Sequence, residues 1–223
     1  KPRVGLFGNS QLSCFEEMHG SKGIRFLAGL DSARRISLVR CPALDPQKEH
    51  RGQLNVFRGF WAKGLHIADF ECHGFYGGDG DCKVILLGGM EHAPQEEAYI
   101  EIDSDFAIGV SDLGAYPPKK RTFRSPLVIL NACCSGMVGA FKGISFARKF
   151  LELGACGVVS TECAVPDQFA VEFIEKFYEA LLGGNTLSDS LLLARRHSLL
   201  VKHNPSGLLY AIYANPDTTI VRR

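Results

Sequence analysis

The stretch Leu127-Val128-Ile129-Leu130-Asn131-Ala132-Cys133-Cys134-Ser135-Gly136 reads as a buried strand running into a turn of small residues. A continuous apolar run, with Val128 and Ile129 β-branched, fits a strand covered on both faces; a strand with one wet face would alternate. The pattern continues downstream. Ile144, Phe146, Ala147, Phe150 and Leu151 fall at helical spacing, and Gly154 is placed to stop that helix. Cys156 to Ser160 is a second short buried strand. Pro166-Asp167 opens a helix through Phe173, Ile174, Phe177, Tyr178 and Leu181, ended by Gly183-Gly184. Thr186 or Ser188 can cap another through Leu191, Leu192, Ala194, Leu199 and Leu200. After a break at Asn204-Pro205-Ser206-Gly207, Leu208 to Ala214 reads as a last strand. Apolar strands separated by helices predict an α/β fold with a mostly parallel sheet and helices on both faces.

The first half is less regular. Val4-Gly5-Leu6-Phe7 reads as an edge strand, Arg35 to Arg40 as a strand, and Leu65 to Cys72 as another that ends at His73-Gly74. Lys83 to Leu87 reads as a short strand. Residues 90 to 124 read as a long insertion, acidic at Glu91, Glu96, Glu97, Glu101, Asp103 and Asp105, then basic after Pro117-Pro118. Long loops in compact domains are often functional. The expected division is a catalytic core over 65–223, interrupted at about 90–124. Residues 1–64 are either its N-terminal part or a connection to an upstream domain. Because the sequence begins at Lys1 rather than Met, it reads as a fragment or a processed product.

Bulk properties narrow the function. The 223 residues are 46% hydrophobic and 22% charged with a net charge of +1, ordinary for a globular chain. The basic clusters Arg34-Arg35, Lys119-Lys120-Arg121, Arg195-Arg196 and Arg222-Arg223 are short and scattered, so no nucleic-acid contact is expected. No apolar run approaches the ~20 residues of a membrane span. The eight cysteines lie in a large, core-rich chain, several inside apolar runs. They read as free thiols in a reducing cytoplasm rather than as a disulfide framework. Zinc is the weaker reading, because no CxxC pair is present.

Two motifs carry chemistry. Glu71-Cys72-His73-Gly74 and Asn131-Ala132-Cys133-Cys134-Ser135-Gly136 each follow an expected strand and end in glycine. In a parallel sheet the carboxyl ends of the strands open on one edge, where catalytic groups collect. A His and a Cys on two such ends would meet there. An unperturbed thiol is mostly protonated at neutral pH, and a nearby imidazole raises the thiolate fraction or takes the proton during attack. The amides of Gly74 and Cys133 are candidates for an oxyanion hole. Gly77-Gly78-Asp79-Gly80 lacks the helix and the Gly-Lys-Ser/Thr of a phosphate loop and reads as a turn.

These residues resemble the clan CD cysteine peptidases, and within them the CHAT domains. That family shows a strand ending in His-Gly, then Ala-Cys-x-Ser-Gly, Phe-Leu-x-x-Gly-Ala, a Val-Val-Ser-like strand and Val-x-Asp at a helix start. Here those stretches are His73-Gly74, Ala132 to Gly136, Phe150 to Ala155, Val158-Val159-Ser160 and Val165-Pro166-Asp167. The resemblance covers about residues 65 to 214 outside the insertion. It implies a caspase-like fold, with Cys133 rather than Cys134 as nucleophile and His73 as its partner.

By the same resemblance, Asp167 is a candidate for reading a basic P1 side chain, with Asn131 and Glu162 beside it and Asp79 as an outside candidate. A plain helix N-cap is the alternative role for Asp167. The sequence departs from the family at Cys163, where CHAT domains usually carry tryptophan, and at Asn131, where metacaspases carry Asp. The resemblance further implies a cofactor-free endopeptidase cleaving a protein substrate, switched on by a partner or ligand through a sensing region. Bacterial (antiviral) defence or cell death is the implied setting. The competing readings are a latent or inactive caspase-like scaffold and an α/β enzyme with a zinc or flavin site. The latter would need metal- or cofactor-shaped motifs that the sequence lacks.

Overall fold

The structure is a computed structural model. It describes residues 1–7, 20–41, 63–76, 98–103, 106–114, 125–132, 136 and 145–220, with 52, 55, 56 and 59. Of residues 20–23, 73, 75, 76, 101–103, 106, 107, 114 and 167 it describes the backbone alone.

The strands are β1 (Arg3–Phe7), β2 (Ser37–Arg40), β3 (Ile67–Glu71), β4 (His73–Tyr76), β5 (Ala98–Asp103), β6 (Phe106–Gly109), β7 (Leu127–Asn131), β8 (Gly157–Thr161) and β9 (Tyr210–Ala214). The α-helices are α1 (Gly20–Ser32), α2 (Val110–Gly114), α3 (Phe146–Glu152), α4 (Asp167–Leu182) and α5 (Leu187–Arg196). A π-helical turn (His197–Val201) and a 3-10 turn (Pro205–Leu209) lead into β9.

Six strands form the central sheet in the order β2-β1-β3-β7-β8-β9. All pairs are parallel except β8 with β9. The α/β architecture with a mostly parallel sheet is therefore as the apolar runs predicted. Alternation along each strand divides the core in two. Val4, Leu6, Ile67, Leu127, Ile129 and Val159 pack against α1, α4 and α5. Phe7, Phe70, Val128, Leu130 and Val158 pack against α2, α3 and a smaller sheet. On that second face Phe7 stacks on Phe70, with ring centroids 4.3 Å apart. Each such fully buried side chain is worth roughly 1.5–3 kcal/mol of transfer free energy.

Four readings are corrected. β1 is not an edge strand: it lies between β2 and β3, which suits its buried Val4, Leu6 and Phe7. His73-Gly74 is not a loop after a strand. It opens β4, the first strand of a separate antiparallel sheet β4-β5-β6. The stretch read as a loop-like insertion supplies the other two strands and α2. Its buried Tyr99, Ile100 and Ile108 carry a strand pattern that the neighbouring acids obscured. Finally, the expected helix ends at Arg196: α5 buries only Leu187, Ser190, Leu191 and Ala194, and Leu192, with Leu199 and Leu200 of the π-helical turn, faces solvent. The expected strand at Lys83 to Leu87 lies outside the described residues.

The helix signals behaved as their chemistry requires. Thr186 caps α5, its Oγ1 accepting from the Asp189 amide at 3.1 Å. Gly154 and Gly184 each take φ +97, the left-handed conformation that ends a helix cheaply only as glycine. No described helix is long and apolar enough to cross a membrane.

Candidate active site

β3 and β7 are adjacent, parallel and in register from Ile67 opposite Leu127 to Glu71 opposite Asn131. His73 follows Glu71 by two residues and Cys133 follows Asn131 by two. Both motifs therefore leave the sheet at its carboxyl edge from neighbouring strands. His73 and Gly74 begin β4, opposite Glu101 and Ile100. Cys133, Cys134 and Ser135 lie outside the described residues, as does Asp79.

Thr161, the last residue of β8, fixes the chain on both sides of the cysteines. Its hydroxyl donates to the Ala132 carbonyl at 2.6 Å, and its own carbonyl accepts from the Gly136 amide at 2.8 Å. Gly136 has no room for a side chain. A Cβ there would lie 2.5 Å from Glu162 Oε1, 2.7 Å from Ser160 Oγ and 3.0 Å from the Thr161 carbonyl.

The candidate substrate-reading residues have distinct places. Asn131 is buried and engaged at both ends of its amide. Its Nδ2 donates to Glu71 Oε2 at 2.9 Å, and its Oδ1 accepts from Tyr210 OH at 2.6 Å. Glu162 is half-buried just past β8 and accepts from Tyr213 OH at 2.5 Å. The Tyr213 phenol is pushed up to about 12, by burial first and then by the Glu162 carboxylate. Asp167 is the first residue of α4. The capping position is that of Pro166, one residue before it. Cys163 is exposed.

Beneath the two motifs runs a buried polar chain that the sequence reading missed. Asp69 and Glu71 alternate with Ala68 and Phe70 on β3, so both carboxyls face the α4 side of the sheet. Tyr178 of α4 donates to Asp69 Oδ2. The Tyr210 ring stacks on Phe173 of α4 with centroids 4.0 Å apart, which aims its hydroxyl at Asn131. Burial pushes Glu71 well above the usual carboxyl range, and the neighbouring Asp69 charge adds to this. Burial likewise raises Asp69 to about 7, with the Tyr178 hydrogen bond opposing. The readable signal was two acids at i and i+2 within an otherwise apolar strand. Buried carboxylates without a cation partner are uncommon and mark a special site. Among the described residues no cluster of His, Cys, Asp and Glu is placed to hold a metal ion.

The CHAT domain family model matches residues 62–214. A protein of Vitiosangium sp. (strain GDMCC 1.1324), named a probable protease, is 30% identical over 154 residues. That match covers 68% of this chain and 18% of the relative, so the chain spans under a fifth of its length. Among solved structures, the Arg-specific cysteine proteinase gingipain R of Porphyromonas gingivalis superposes with a TM-score of 0.56 at 11% identity. That likeness covers 98% of this chain and 47% of gingipain R. Separase in the Saccharomyces cerevisiae separase–securin complex gives 0.52 at 15% identity, over 96% of this chain and 12% of separase. At such identities these likenesses establish the fold alone, the caspase-like one. With the family model spanning most of the chain, the protein belongs to the CHAT domain family and has the fold of the caspase-like cysteine peptidases.

Proposed function

We propose that the chain is a cysteine endopeptidase whose nucleophile is Cys133 and whose proton carrier is His73. The observation that carries this reading is the pairing of Glu71 with Asn131 in adjacent parallel strands, each two residues before one member of the pair. In the proposed reaction the Cys133 thiolate attacks the substrate carbonyl carbon, and the carbonyl oxygen becomes an oxyanion. The backbone amides of Gly74 and Cys133 receive that oxyanion, a contribution of about 3–4 kcal/mol where such donors have been removed one at a time. Collapse breaks the C–N bond. His73 gives its proton to the leaving amine, and a thioester joins the acyl group to Cys133. Water then attacks the thioester, losing its proton to His73, and collapse expels the Cys133 thiolate and releases the acid. The route needs no cofactor.

The substrate is a protein, read at P1 through Asp167 with Glu162 beside it, while Asn131, held at both ends by Glu71 and Tyr210, lies beneath them. An acidic side chain there suits Arg or Lys through charge-assisted hydrogen bonds. A partner or ligand acting through a sensing region switches the enzyme on, in the cytoplasm and in a defence or cell-death setting. The test is a diverse peptide library incubated with wild type and Cys133→Ala, with and without candidate activators. Cleavage in wild type that disappears in Cys133→Ala is expected. Cleavage that persists in the variant would sink the assignment.

A further inference from the structure

The buried chain under the two motifs can be followed donor by donor. Tyr210 OH donates to Asn131 Oδ1, Asn131 Nδ2 donates to Glu71 Oε2, and Tyr178 OH donates to Asp69 Oδ2. This leaves Asp69 Oδ1 and Glu71 Oε1, both buried and with no other donor among the described residues. Two ionised carboxylates are acceptors only and cannot satisfy one another. One proton between them completes the chain: protonated Glu71 donates to Asp69, and every polar atom named here then has a partner. An unsatisfied buried polar atom is costly, so the geometry itself favours the protonated pair.

Among the described residues no positive charge faces the pair to replace that proton. The groups facing the pair are Tyr178 and Glu175 from α4, Tyr210 from β9, neutral Asn131 from β7 and, on β1, Leu6 in register with Asp69. Glu175 is an acid and adds to the repulsion. Burial and like charge both raise the carboxyls, in the direction that the hydrogen-bond count demands.

We propose that Asp69 and Glu71 hold one shared proton, and that protonated Glu71, through Asn131, is a positioning residue clamping the strand that leads to His73 against the strand that leads to Cys133. The inference rests on the assignment of His73 and Cys133 as the reacting pair. Glu71 touches no substrate in this account. It acts through Asn131, whose strand runs on to the nucleophile, and Tyr210 and Tyr178 hold the two ends of the chain. Ionising Glu71 would set two buried negative charges side by side and open the clamp. The clamp therefore works on the acid side of the Glu71 titration and fails on the alkaline side.

Glutamine is the discriminating replacement, because its amide keeps an acceptor for Asn131 and a donor for Asp69 without a titrating proton. Infrared spectra of the intact chain should show a protonated-carboxyl band that persists above the ordinary carboxyl range, about pH 4, and is lost in Glu71→Gln. Alkylation of Cys133 by iodoacetamide, located by peptide mapping across a pH series, reads the positioning. Glu71→Ala should slow Cys133 by about tenfold or more, the scale of a misplaced reacting group, while Glu71→Gln stays within about threefold of wild type. The wild-type rate should turn down on the alkaline side and the Glu71→Gln rate should not. Absence of the carboxyl band in wild type overturns the shared proton. A wild-type Cys133 profile that matches Glu71→Ala, or a folded Glu71→Gln as slow as Glu71→Ala, overturns the positioning role. Should Glu71→Ala fail to fold, Asn131→Ala takes its place in the same comparison. A His73→Ala profile identical to wild type would instead remove the catalytic assignment, leaving the infrared result standing by itself.

Discussion

Glu71 and Asn131 stand directly opposite one another at the carboxyl ends of two adjacent parallel strands, joined by a 2.9 Å hydrogen bond from Asn131 Nδ2 to Glu71 Oε2. Tyr210 completes that junction from β9, at the far edge of the same sheet. One side-chain bond thus ties the strand that leads to His73 to the strand that leads to Cys133. Tyr210→Phe removes the donor to Asn131 Oδ1 and leaves a buried acceptor unpaired. The expected loss is about 1–3 kcal/mol of stability, measured by urea unfolding. Unchanged stability would mean that the hydroxyl does not hold Asn131.

Gly136 anchors the far side of the cysteine segment. Gly136→Ala places a methyl against Glu162 Oε1, Ser160 Oγ and the Thr161 carbonyl, and the last of these is backbone that cannot swing away. Overpacking of this kind costs typically about 1–3 kcal/mol. The expected variant is folded but less stable, with Cys133 alkylated at an altered rate. A variant indistinguishable from wild type in both respects would show that the segment relaxes freely. Thr161→Val is the companion change: it keeps the shape, removes the donor to Ala132, and should cost about 1 kcal/mol.

The sheet was legible because its strands are buried on both faces, and continuous apolar runs such as Leu127 to Leu130 signal that condition directly. The helices of the second half were legible through their stops and caps, Gly154, Gly184 and Thr186. What escaped the sequence was what depends on strand order. Val4 to Phe7 looks like any short apolar strand, and only its pairing with both β2 and β3 makes it central. The β5 and β6 strands were hidden by acids that a propensity reading assigns to loops, although Tyr99, Ile100 and Ile108 are buried. Asp69 and Glu71 were passed over because Tyr178 and Tyr210, their partners at either end of the polar chain, lie more than a hundred residues away in sequence.

The raised carboxyls fix the direction of a pH effect on stability. An unfolded chain releases these protons in the ordinary carboxyl range, near pH 4. The folded chain keeps them longer, with burial raising Asp69 to about 7 and holding Glu71 well above the ordinary carboxyl range. The folded state therefore binds more protons than the unfolded state across this window, and stability falls as pH rises through it. The slope is at most about 1.4 kcal/mol per pH unit for one group. Urea midpoints from pH 5 to pH 8 should decline for wild type, and less steeply for Asp69→Asn. A wild-type stability that rises with pH over this range would mean that both carboxyls are ionised in the folded chain.

Specificity gives the last prediction. Asp167 begins α4 one residue after its capping position, so replacing it should not cost the roughly 1 kcal/mol that loss of a capping side chain does. A role in reading a basic P1 residue would appear elsewhere. In Asp167→Asn, kcat/KM for peptides with Arg or Lys at P1 should fall by about tenfold or more, the loss of one charge-assisted hydrogen bond, while the thermal midpoint stays near wild type. Glu162→Gln is the matched comparison, because its carboxylate is already held by Tyr213 and its change should move P1 preference less. Equal losses from both variants would assign the basic preference to the summed charge of the rim. Cleavage indifferent to Arg and Lys in wild type would take Asp167 out of substrate reading altogether.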